Sequence, residues 1–326
     1  MAPTYLTGFG CFHPEEIITN ATLMQRVDTS EEWILSRTGI RERRRAPADM
    51  NTSGLAAKAT AAALEDGGWS GQQVELLICA TSTPDMLIPG TASFICQQLK
   101  IDPVAFDINA ACSGFVYGMV VADAMIKSQK LDKVVMVTAE KYTRVTNYDD
   151  RASCIFFGDS AGAVLMSPTR PAWGMELLDF DMRNYNEGAH MVTTEIGGYF
   201  RQDGAAVKNY ALRAFHESAT FMLEKHGLEP DDLRAFVGHQ ANLRVLQTVA
   251  DTLNVHEKQH WHNVELFGNQ GAAGAASTLT SRVVAQRQDF QDGDLFLCTV
   301  FGSGFTCGSA LMRWVGEAPV PAENPA

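Results

Sequence analysis

The sequence contains no apolar run of about 18 residues, the length from which a helix begins to span a bilayer, so we expect no transmembrane segment. Its first residues lack a basic segment followed by an apolar stretch, which predicts that there is no signal peptide. Basic residues are also few, because 26 Lys and Arg stand against 38 Asp and Glu and leave a net charge of −12. Such a chain is a poor general binder of nucleic acid or of an anionic membrane surface, and an acidic partner would need a local basic patch.

Cysteine pairs are missing as well. The seven cysteines are scattered, odd in number, and never spaced as CxxC. This pattern predicts reduced thiols in the cytoplasm, with neither a zinc site nor a disulfide framework. His256, His260 and His262 cluster in a polar loop, but we expect no acid or cysteine partner for them and therefore no metal site.

What the sequence does have is enough apolar material for a large core, because 46% of its 326 residues are hydrophobic. Short apolar runs alternate with helical stretches, which predicts a layered α/β fold. The predicted strands are residues 74–80, 104–108, 134–138, 161–166, 235–238, 295–300 and 310–314. The predicted helices are residues 54–66, 91–99, 113–128, 206–225, 242–253 and 275–286, and the proline-rich residues 316–326 are predicted to be flexible.

A faint internal repeat suggests two similar halves, residues 1–170 and 171–326. In each half a strand leads into a turn that carries a reactive residue type, and a helix follows. That residue is Cys112 in the first half and His239 in the second. Residues 181–204 are polar and weakly periodic, so we interpret them as a variable loop or cap between the halves.

Cys112 is the first candidate for chemistry. It lies among small residues between an apolar strand and an apolar helix. A cysteine at a helix start faces unpaired N–H groups and the positive end of the helix dipole, and both favour the nucleophilic thiolate. Small neighbours also leave room for an acyl thioester. The alternative is a buried structural cysteine, which is a common fate for this residue.

His239 and Asn269 are the second and third candidates, and both fall in the second half. A histidine in this turn can donate a hydrogen bond to an oxygen that gains negative charge, and an amide supplies a second donor. Residues 302–304, Gly-Ser-Gly, form a tight turn whose backbone N–H groups can also stabilise an oxyanion. Each feature alone has a structural explanation as a cap or a turn. Cys, His and Asn in this order, each in a Gly/Ala-rich turn, are more specific together.

These residues belong to motifs that resemble the β-ketoacyl-acyl-carrier-protein synthase III branch of the thiolase superfamily. The resemblance runs from about residue 5 to residue 314. It is carried by TSEEWILSRTGIRER (29–43), AACSGF (110–115), FGD (157–159), GHQANLR (238–244), GN (268–269) and FGSGFT (301–306).

The resemblance implies a five-layered αβαβα fold built from two similar halves, a homodimer, and no cofactor beyond the coenzyme A thioester substrate. It implies that Cys112 takes the acyl group of an acyl-CoA. His239 and Asn269 would then hold a malonyl group on acyl carrier protein, stabilise the enolate formed by decarboxylation, and so promote Claisen condensation. Backbone N–H groups of Cys112 and Ser303 would stabilise the tetrahedral oxyanion.

The resemblance also assigns binding residues. Trp33, Arg37 and Arg151 match positions that contact the nucleotide end of coenzyme A, where an indole stacks on a base and a guanidinium pairs with phosphate. Arg244 matches a residue that docks the acidic carrier protein. Lys208 and Arg213 would complete the basic patch that the net charge requires.

The chain departs from the family pattern in four places. Residues 270–274 read Gln-Gly-Ala-Ala-Gly instead of Thr-Ser-Ala-Ala-Ser, and Ser303 replaces the central glycine of its turn. Cys307 stands where tryptophan is frequent, and residues 181–204 differ from the usual acyl-pocket cap. These changes leave the three candidate residues intact. They affect the identity of the acyl chain and of the acceptor. The sequence is therefore compatible with a role in fatty acid biosynthesis or in polyketide-like biosynthesis.

Three other functions remain open at this point. In the first, the acyl group on Cys112 passes to an alcohol, an amine or a β-keto substrate, with His239 as general base. In the second, the protein is a non-enzymatic module that binds acyl chains or carrier protein, although the Cys, His and Asn argue against this. A papain-like hydrolase also uses this residue order, but the expected sequence around its cysteine is absent.

Overall fold

The computed structural model describes residues 2–317. The strands among these residues are β1 Thr4–Phe12, β2 Glu16–Thr19, β3 Glu42–Arg45, β4 Leu76–Ala80, β5 Val104–Ile108, β6 Val134–Lys141, β7 Asp159–Ser167, β8 Trp173–Asn184, β9 Val192–Thr194, β10 Phe200–Gln202, β11 Leu233–Gly238, β12 His260–Trp261, β13 Leu295–Gly302 and β14 Thr306–Gly316. The α-helices are α1 Asn20–Met24, α2 Glu31–Thr38, α3 Thr52–Asp66, α4 Thr91–Leu99, α5 Gly114–Gln129, α6 Gly204–His226, α7 Leu243–Thr252, α8 Val264–Phe267 and α9 Ala273–Gln286.

Ten strands form one mixed sheet in the order β12-β11-β13-β14-β8-β1-β7-β6-β4-β5. The pairing is repeated on the two sides of the β8–β1 contact. On each side two antiparallel pairs come first, and two parallel pairs lead to the edge. A duplicated fold would produce this repeat. The division into residues 1–170 and 171–326 remains a prediction.

The helices cover this sheet in layers, because its strands are apolar on both faces. Helices α3 and α4 pack on the first half of the sheet. Helices α5 and α9 lie between the two halves, where they contact strands of both. Helix α6 packs on the far side of the second half and contacts α7. The result is the predicted αβαβα arrangement.

All of the predicted strands and helices are present, with ends shifted by a few residues at most. Two long strands, β1 and β8, were not predicted. In β1 the glycines at 8 and 10 interrupt the apolar alternation, because α3 lies so close that a Cβ at either position would overlap its backbone. Strand β8 is rich in polar residues because much of it is only half-buried.

The interpretation of residues 181–204 as a loop or cap needs one correction. Residues 181–184 are the end of β8 and pair with β14. The rest contains the hairpin of β9 and β10. One backbone hydrogen bond anchors this hairpin to the rest of the fold, from the Phe200 N–H to the Val145 carbonyl at 2.9 Å, and another closes its base, from the Asp203 N–H to the Met191 carbonyl at 2.8 Å.

Two surface features complete the description of the fold. The histidine cluster does have acid partners, contrary to our expectation, because His256 lies 3.0 Å from Asp231 and His262 lies 2.8 Å from Glu265. Between residues 2 and 317, no three His, Cys, Asp or Glu side chains are placed to hold a metal ion.

Over the same residues, every helix is too short or too polar to cross a membrane. The predicted flexible tail lies almost entirely outside the described residues.

Candidate active site

One cavity of about 360 Å³ brings the three candidate side chains together. Cys112, His239 and Asn269 all line it, and so does Ser303. Three of these residues follow the ends of strands in the main sheet, and Asn269 lies in the turn before α9. The wall is otherwise largely apolar, with the aromatic rings of Phe156, Phe157, Phe200, Phe215 and Phe301.

Cys112 lies in a short 3₁₀ turn between β5 and α5, as the sequence predicts. The residue before it, Ala111, has a φ of 46°, a backbone conformation that costs energy for a residue with a Cβ. Burial raises the pKa of the Cys112 thiol to about 12, and the Glu140 carboxylate adds to this, while a hydrogen bond with Tyr142 lowers it. Burial therefore outweighs the effect that the helix start has on the pKa of this thiol. The thiol must lose its proton during the reaction.

His239 follows β11, and its backbone N–H donates to the Thr299 carbonyl at 3.0 Å. Burial lowers the pKa of its imidazole to about 4, so the ring is neutral near pH 7. Its Nδ1 atom has no hydrogen-bond partner among the described residues. The Gln240 side chain holds the turn that carries His239. Its Nε2 donates to the Gly238 carbonyl at 2.7 Å, and its Oε1 accepts from the Asn263 backbone N–H at 2.9 Å.

Asn269 is oriented by its own backbone and by the following turn. Its N–H donates to the Phe156 carbonyl at 2.8 Å, and its carbonyl accepts from Gly158 at 3.0 Å. Its side-chain Oδ1 accepts from the Gly271 N–H at 2.9 Å. Because the oxygen is engaged in this way, the amide NH₂ is the end of the side chain that is left to donate into the cavity.

The turn at residues 302–304 packs directly on the Cys112 turn. A Cβ at Gly302 would lie 2.9 Å from the backbone nitrogens of Cys112 and Ser113, so only glycine fits there. The hydroxyl of Ser303 donates to the Val192 carbonyl at 2.5 Å. The serine that replaces a family glycine therefore ties this turn to the cap hairpin.

The other departures also have structural reasons. Gln270 is fully buried, and its Nε2 donates to Asn263 while its Oε1 accepts from Ser277, both at 2.8 Å. Gly271 has a φ of 55°, and a Cβ there would overlap the ring of Tyr142. Cys307 is buried in the core beneath α6.

The predicted coenzyme A residues lie on the surface. Trp33 and the exposed Arg37 share α2, whose first turn is capped by Ser30. The Arg151 guanidinium lies 4.3 Å from the centre of the Trp33 ring. The structure thus brings the indole and one guanidinium together, although they are distant in sequence.

The predicted docking residues differ in their surroundings. Arg244 is exposed on α7, and its guanidinium donates to the Leu35 carbonyl at 3.0 Å. Lys208 is exposed and lines the cavity. Arg213 lies 3.9 Å from Glu187 and 3.4 Å from Glu217, so much of its charge is offset within the chain.

The sequence analysis missed Ser82, Glu140 and Tyr142. Ser82 and Tyr142 line the cavity, and Glu140 is fully buried behind them at the end of β6. The available signal was an acidic residue at the end of an otherwise apolar strand, because a carboxylate is rarely buried without a purpose.

Comparisons with known proteins agree with this geometry. The model of 3-oxoacyl-[acyl-carrier-protein] synthase III matches residues 106–186, and the model of its C-terminal part matches residues 223–314. The β-ketoacyl-[acyl-carrier-protein] synthase III of Aquifex aeolicus is 37% identical over 95% of this chain and 99% of its own. That of Geobacillus kaustophilus is 36% identical over 95% of this chain and 98% of its own.

Solved structures give the same result. The 3-oxoacyl-[acyl-carrier-protein] synthase III of Aquifex aeolicus superposes with a TM-score of 0.90 at 35% identity, over 95% of this chain and 99% of the other. The priming β-ketosynthase of the R1128 polyketide pathway superposes with a TM-score of 0.87 at 28% identity, over 97% of both chains.

The fold and the site thus define a thiolase-like condensing acyltransferase. The chain belongs to the β-ketoacyl-acyl-carrier-protein synthase III family. The predicted family, fold class and enzyme class are confirmed.

Proposed function

We propose that this enzyme loads an acyl group from acyl-CoA onto Cys112 and condenses it with a malonyl group on acyl carrier protein. The observation that carries this proposal is the shared cavity, in which a thiol, a neutral imidazole and an amide NH₂ face one space. Family membership favours this reaction over acyl transfer to an alcohol or an amine.

The first step is attack of the Cys112 sulfur on the thioester carbon. The tetrahedral oxyanion would be held by the backbone N–H groups of Cys112 and Ser303, whose turns pack on each other at Gly302. Collapse releases coenzyme A and leaves an acyl thioester on Cys112. No cofactor takes part, because the substrate already carries an activated acyl group.

The second step is decarboxylation of the malonyl thioester. Loss of CO₂ leaves an enolate, whose negative oxygen accepts hydrogen bonds from His239 and from the Asn269 NH₂. A neutral imidazole is the form needed to donate while staying neutral, and burial keeps the ring in that form. The carbanion then attacks the acyl carbon on Cys112. Release of CO₂ from malonyl-acyl carrier protein by the acylated enzyme tests this step, and no release would contradict it.

We propose that Trp33, Arg37 and Arg151 bind the nucleotide end of coenzyme A. The contact of the Arg151 guanidinium with the Trp33 ring supports this, because an adenine that stacks on the indole would occupy the same surface. Arg37 lies on the same helix, one turn further on, where its exposed guanidinium can pair with phosphate.

We propose that the acidic carrier protein docks on Arg244, Lys208 and Arg213, with Arg213 contributing least because Glu187 and Glu217 offset its charge. Replacing Arg244→Glu should raise the KM for malonyl-acyl carrier protein about tenfold at low salt, and the effect should shrink at high salt because exposed charges are screened. Arg170→Glu is the matched control, since this exposed arginine lies on a connection away from the cavity. Equal effects of the two variants would contradict the assignment.

We also propose a homodimer that forms along β5, in a cytoplasmic enzyme whose seven cysteines are unpaired. Strand β5 is an edge of the ten-stranded sheet, and Val104 at its start is 67% exposed. The nearby loop exposes Met86, Leu87 and Ile88, a cluster that a soluble monomer rarely leaves uncovered. Light scattering should give twice the chain mass of 35.6 kDa, and Leu87→Asp should reduce it. If light scattering gave the parent protein the mass of one chain, the proposed dimer would be contradicted.

A further inference from the structure

A fully buried arginine lies behind the turn that carries Asn269. Arg43 is the last residue of the motif at 29–43, and only 1% of it is exposed. Its Nε and Nη2 atoms both donate to the Ile155 carbonyl, at 3.0 and 2.5 Å, and its Nη1 donates to the Asn20 Oδ1 at 2.6 Å. Neutral oxygens therefore hold this guanidinium on two sides.

The burial of Arg43 requires an explanation, because a charged side chain in a protein interior is usually paired with an opposite charge. Burial lowers the pKa of its guanidinium to about 10, so the group is still protonated at neutral pH. An apolar side chain would avoid the loss of hydration, but it would leave the buried Ile155 carbonyl without these two donors. What the arginine provides is a fixed position for that carbonyl.

The residues that follow Ile155 hold the backbone of Asn269. The Asn269 N–H donates to the Phe156 carbonyl at 2.8 Å, and the Gly158 N–H donates to the Asn269 carbonyl at 3.0 Å. These two bonds form a short parallel bridge between Phe157 and Asn269 outside the ten-stranded sheet. The carbonyl that Arg43 holds is thus the direct neighbour of the carbonyl that accepts from Asn269.

The same arginine touches the other partner of this bridge. Gly268, the residue before Asn269, has a φ of 68°, and a Cβ there would lie 2.8 Å from Arg43 Cγ and 2.6 Å from the Phe156 carbonyl oxygen. The aliphatic part of Arg43 therefore lies against the Gly268 backbone, while its guanidinium holds the opposite segment. One side chain sets the position of both partners.

We propose that Arg43 is a positioning residue for the decarboxylation step. By holding Ile155 and packing on Gly268, it fixes the Asn269 backbone so that the amide NH₂ is aimed at the enolate oxygen. Arg43 is not among the described residues that line the cavity, so it acts through Asn269. The inference rests on the proposed role of Asn269 in holding the enolate.

The bonds within the Asn269 turn cannot supply this positioning alone. The bond from the Gly271 N–H to Asn269 Oδ1, at 2.9 Å, sets the rotation of the amide relative to its own turn. The place of that turn in the cavity wall depends on the bridge and on Arg43 behind it. Catalysis is sensitive to this placement, because a shift of about 1 Å in a reacting group can lower a rate about 100-fold.

The test compares the two half-reactions in Arg43→Lys. Lysine keeps the positive charge and most of the aliphatic stem, but its single ammonium does not reproduce the planar fork that spans Ile155 and Asn20. CO₂ release from malonyl-acyl carrier protein by pre-acylated enzyme should fall about tenfold. Acylation of Cys112 at saturating acyl-CoA should stay within about twofold of the parent rate, because that step does not use Asn269.

A double-mutant cycle separates positioning from a general structural effect. If Arg43 acts through Asn269, Arg43→Lys should cause little further loss of CO₂ release in an Asn269→Asp background, because the amide that it positions is already gone. If Arg43 acts independently of Asn269, the two losses should multiply. Circular dichroism and thermal unfolding of each variant give the folded fraction to which the rates are normalised.

Two further variants complete the experiment. Arg43→Met removes every donor and should lose at least as much CO₂ release as Arg43→Lys. Arg313→Lys is the matched control, since this exposed arginine pairs with Glu176 at 2.7 Å on the strands β14 and β8, and both half-reactions should match the parent.

The outcomes distinguish this inference from the proposed function. Equal changes in both half-reactions of folded Arg43→Lys, or losses that multiply with those of Asn269→Asp, would overturn the positioning role. A parent protein that is acylated but releases no CO₂, or an Asn269→Asp variant that releases it at the parent rate, would instead overturn the proposed decarboxylation site.

Discussion

Acylation of this protein is expected to vanish when Cys112 is replaced by alanine. Incubation of the parent with a panel of acyl-CoAs should add the mass of one acyl group, and Cys112→Ala should show no addition. The physical reason is that the covalent step needs the Cys112 sulfur, which lines the cavity shared with His239 and Asn269. Intact mass spectrometry measures the adduct directly, and the chain lengths that react will define the acyl preference.

The matched control is Cys11→Ala. Cys11 is half-buried like Cys112, but it lies in β1 and burial raises the pKa of its thiol as well. Its removal should leave the adduct unchanged. An adduct that survives in Cys112→Ala and is lost in Cys11→Ala would show that the nucleophile has been misassigned.

The second large effect is expected for Asn269→Asp. Aspartate has nearly the same shape and keeps an oxygen that accepts from the Gly271 N–H, so the turn should hold. It replaces the amide NH₂ with an acceptor and brings a negative charge toward the enolate oxygen. Loss of one such donor typically costs about 2.7–4 kcal/mol of transition-state stabilisation, or roughly 10²–10³ in rate. CO₂ release from malonyl-acyl carrier protein should fall by at least that factor.

Acylation of Cys112 provides the internal reference for this variant. Asn269→Asp should still take up the acyl group, because the first step does not use the amide. Asn184→Asp is the external control, since that exposed amide donates to Asn186 at 2.9 Å away from the cavity. Undiminished CO₂ release in Asn269→Asp would mean that the amide is no part of the enolate site.

The sequence points to three candidate residues because Cys, His and Asn follow one another in small-residue turns. Cys112 and His239 lie in turns after apolar strands, and strand ends that come together at one edge of a sheet bring their turns together. Asn269 was supported mainly by its glycine-rich setting. The shared cavity places all three where that reasoning expected them, while their separate roles await the experiments above.

The remaining parts of the site depend on contacts that sequence spacing does not reveal. Glu140 lies at the end of an apolar strand, and only the folded chain shows that hydrogen bonds of the Ser82 hydroxyl connect it to Tyr142. The pKa of Cys112 was missed for a similar reason. A helix start is visible in a sequence, but the depth at which the thiol is buried is not.

The cap also could not be predicted in detail, because short strands with polar residues carry little periodic signal. Its two strands have three residues each and are paired only with one another. They nevertheless supply Val192, Thr193, Thr194, Phe200 and Gln202 to the cavity wall.

The residues that react and the residues that shape this part of the cavity wall therefore belong to different parts of the fold. Cys112 and His239 follow strands of the ten-stranded sheet, whereas the hairpin pairs with none of them and contacts the body through the packing of Phe200 on Phe157 and the bond from Ser303 to Val192. Exchange of this small segment is therefore expected to change the shape of the cavity while the strands that position Cys112 and His239 stay as they are.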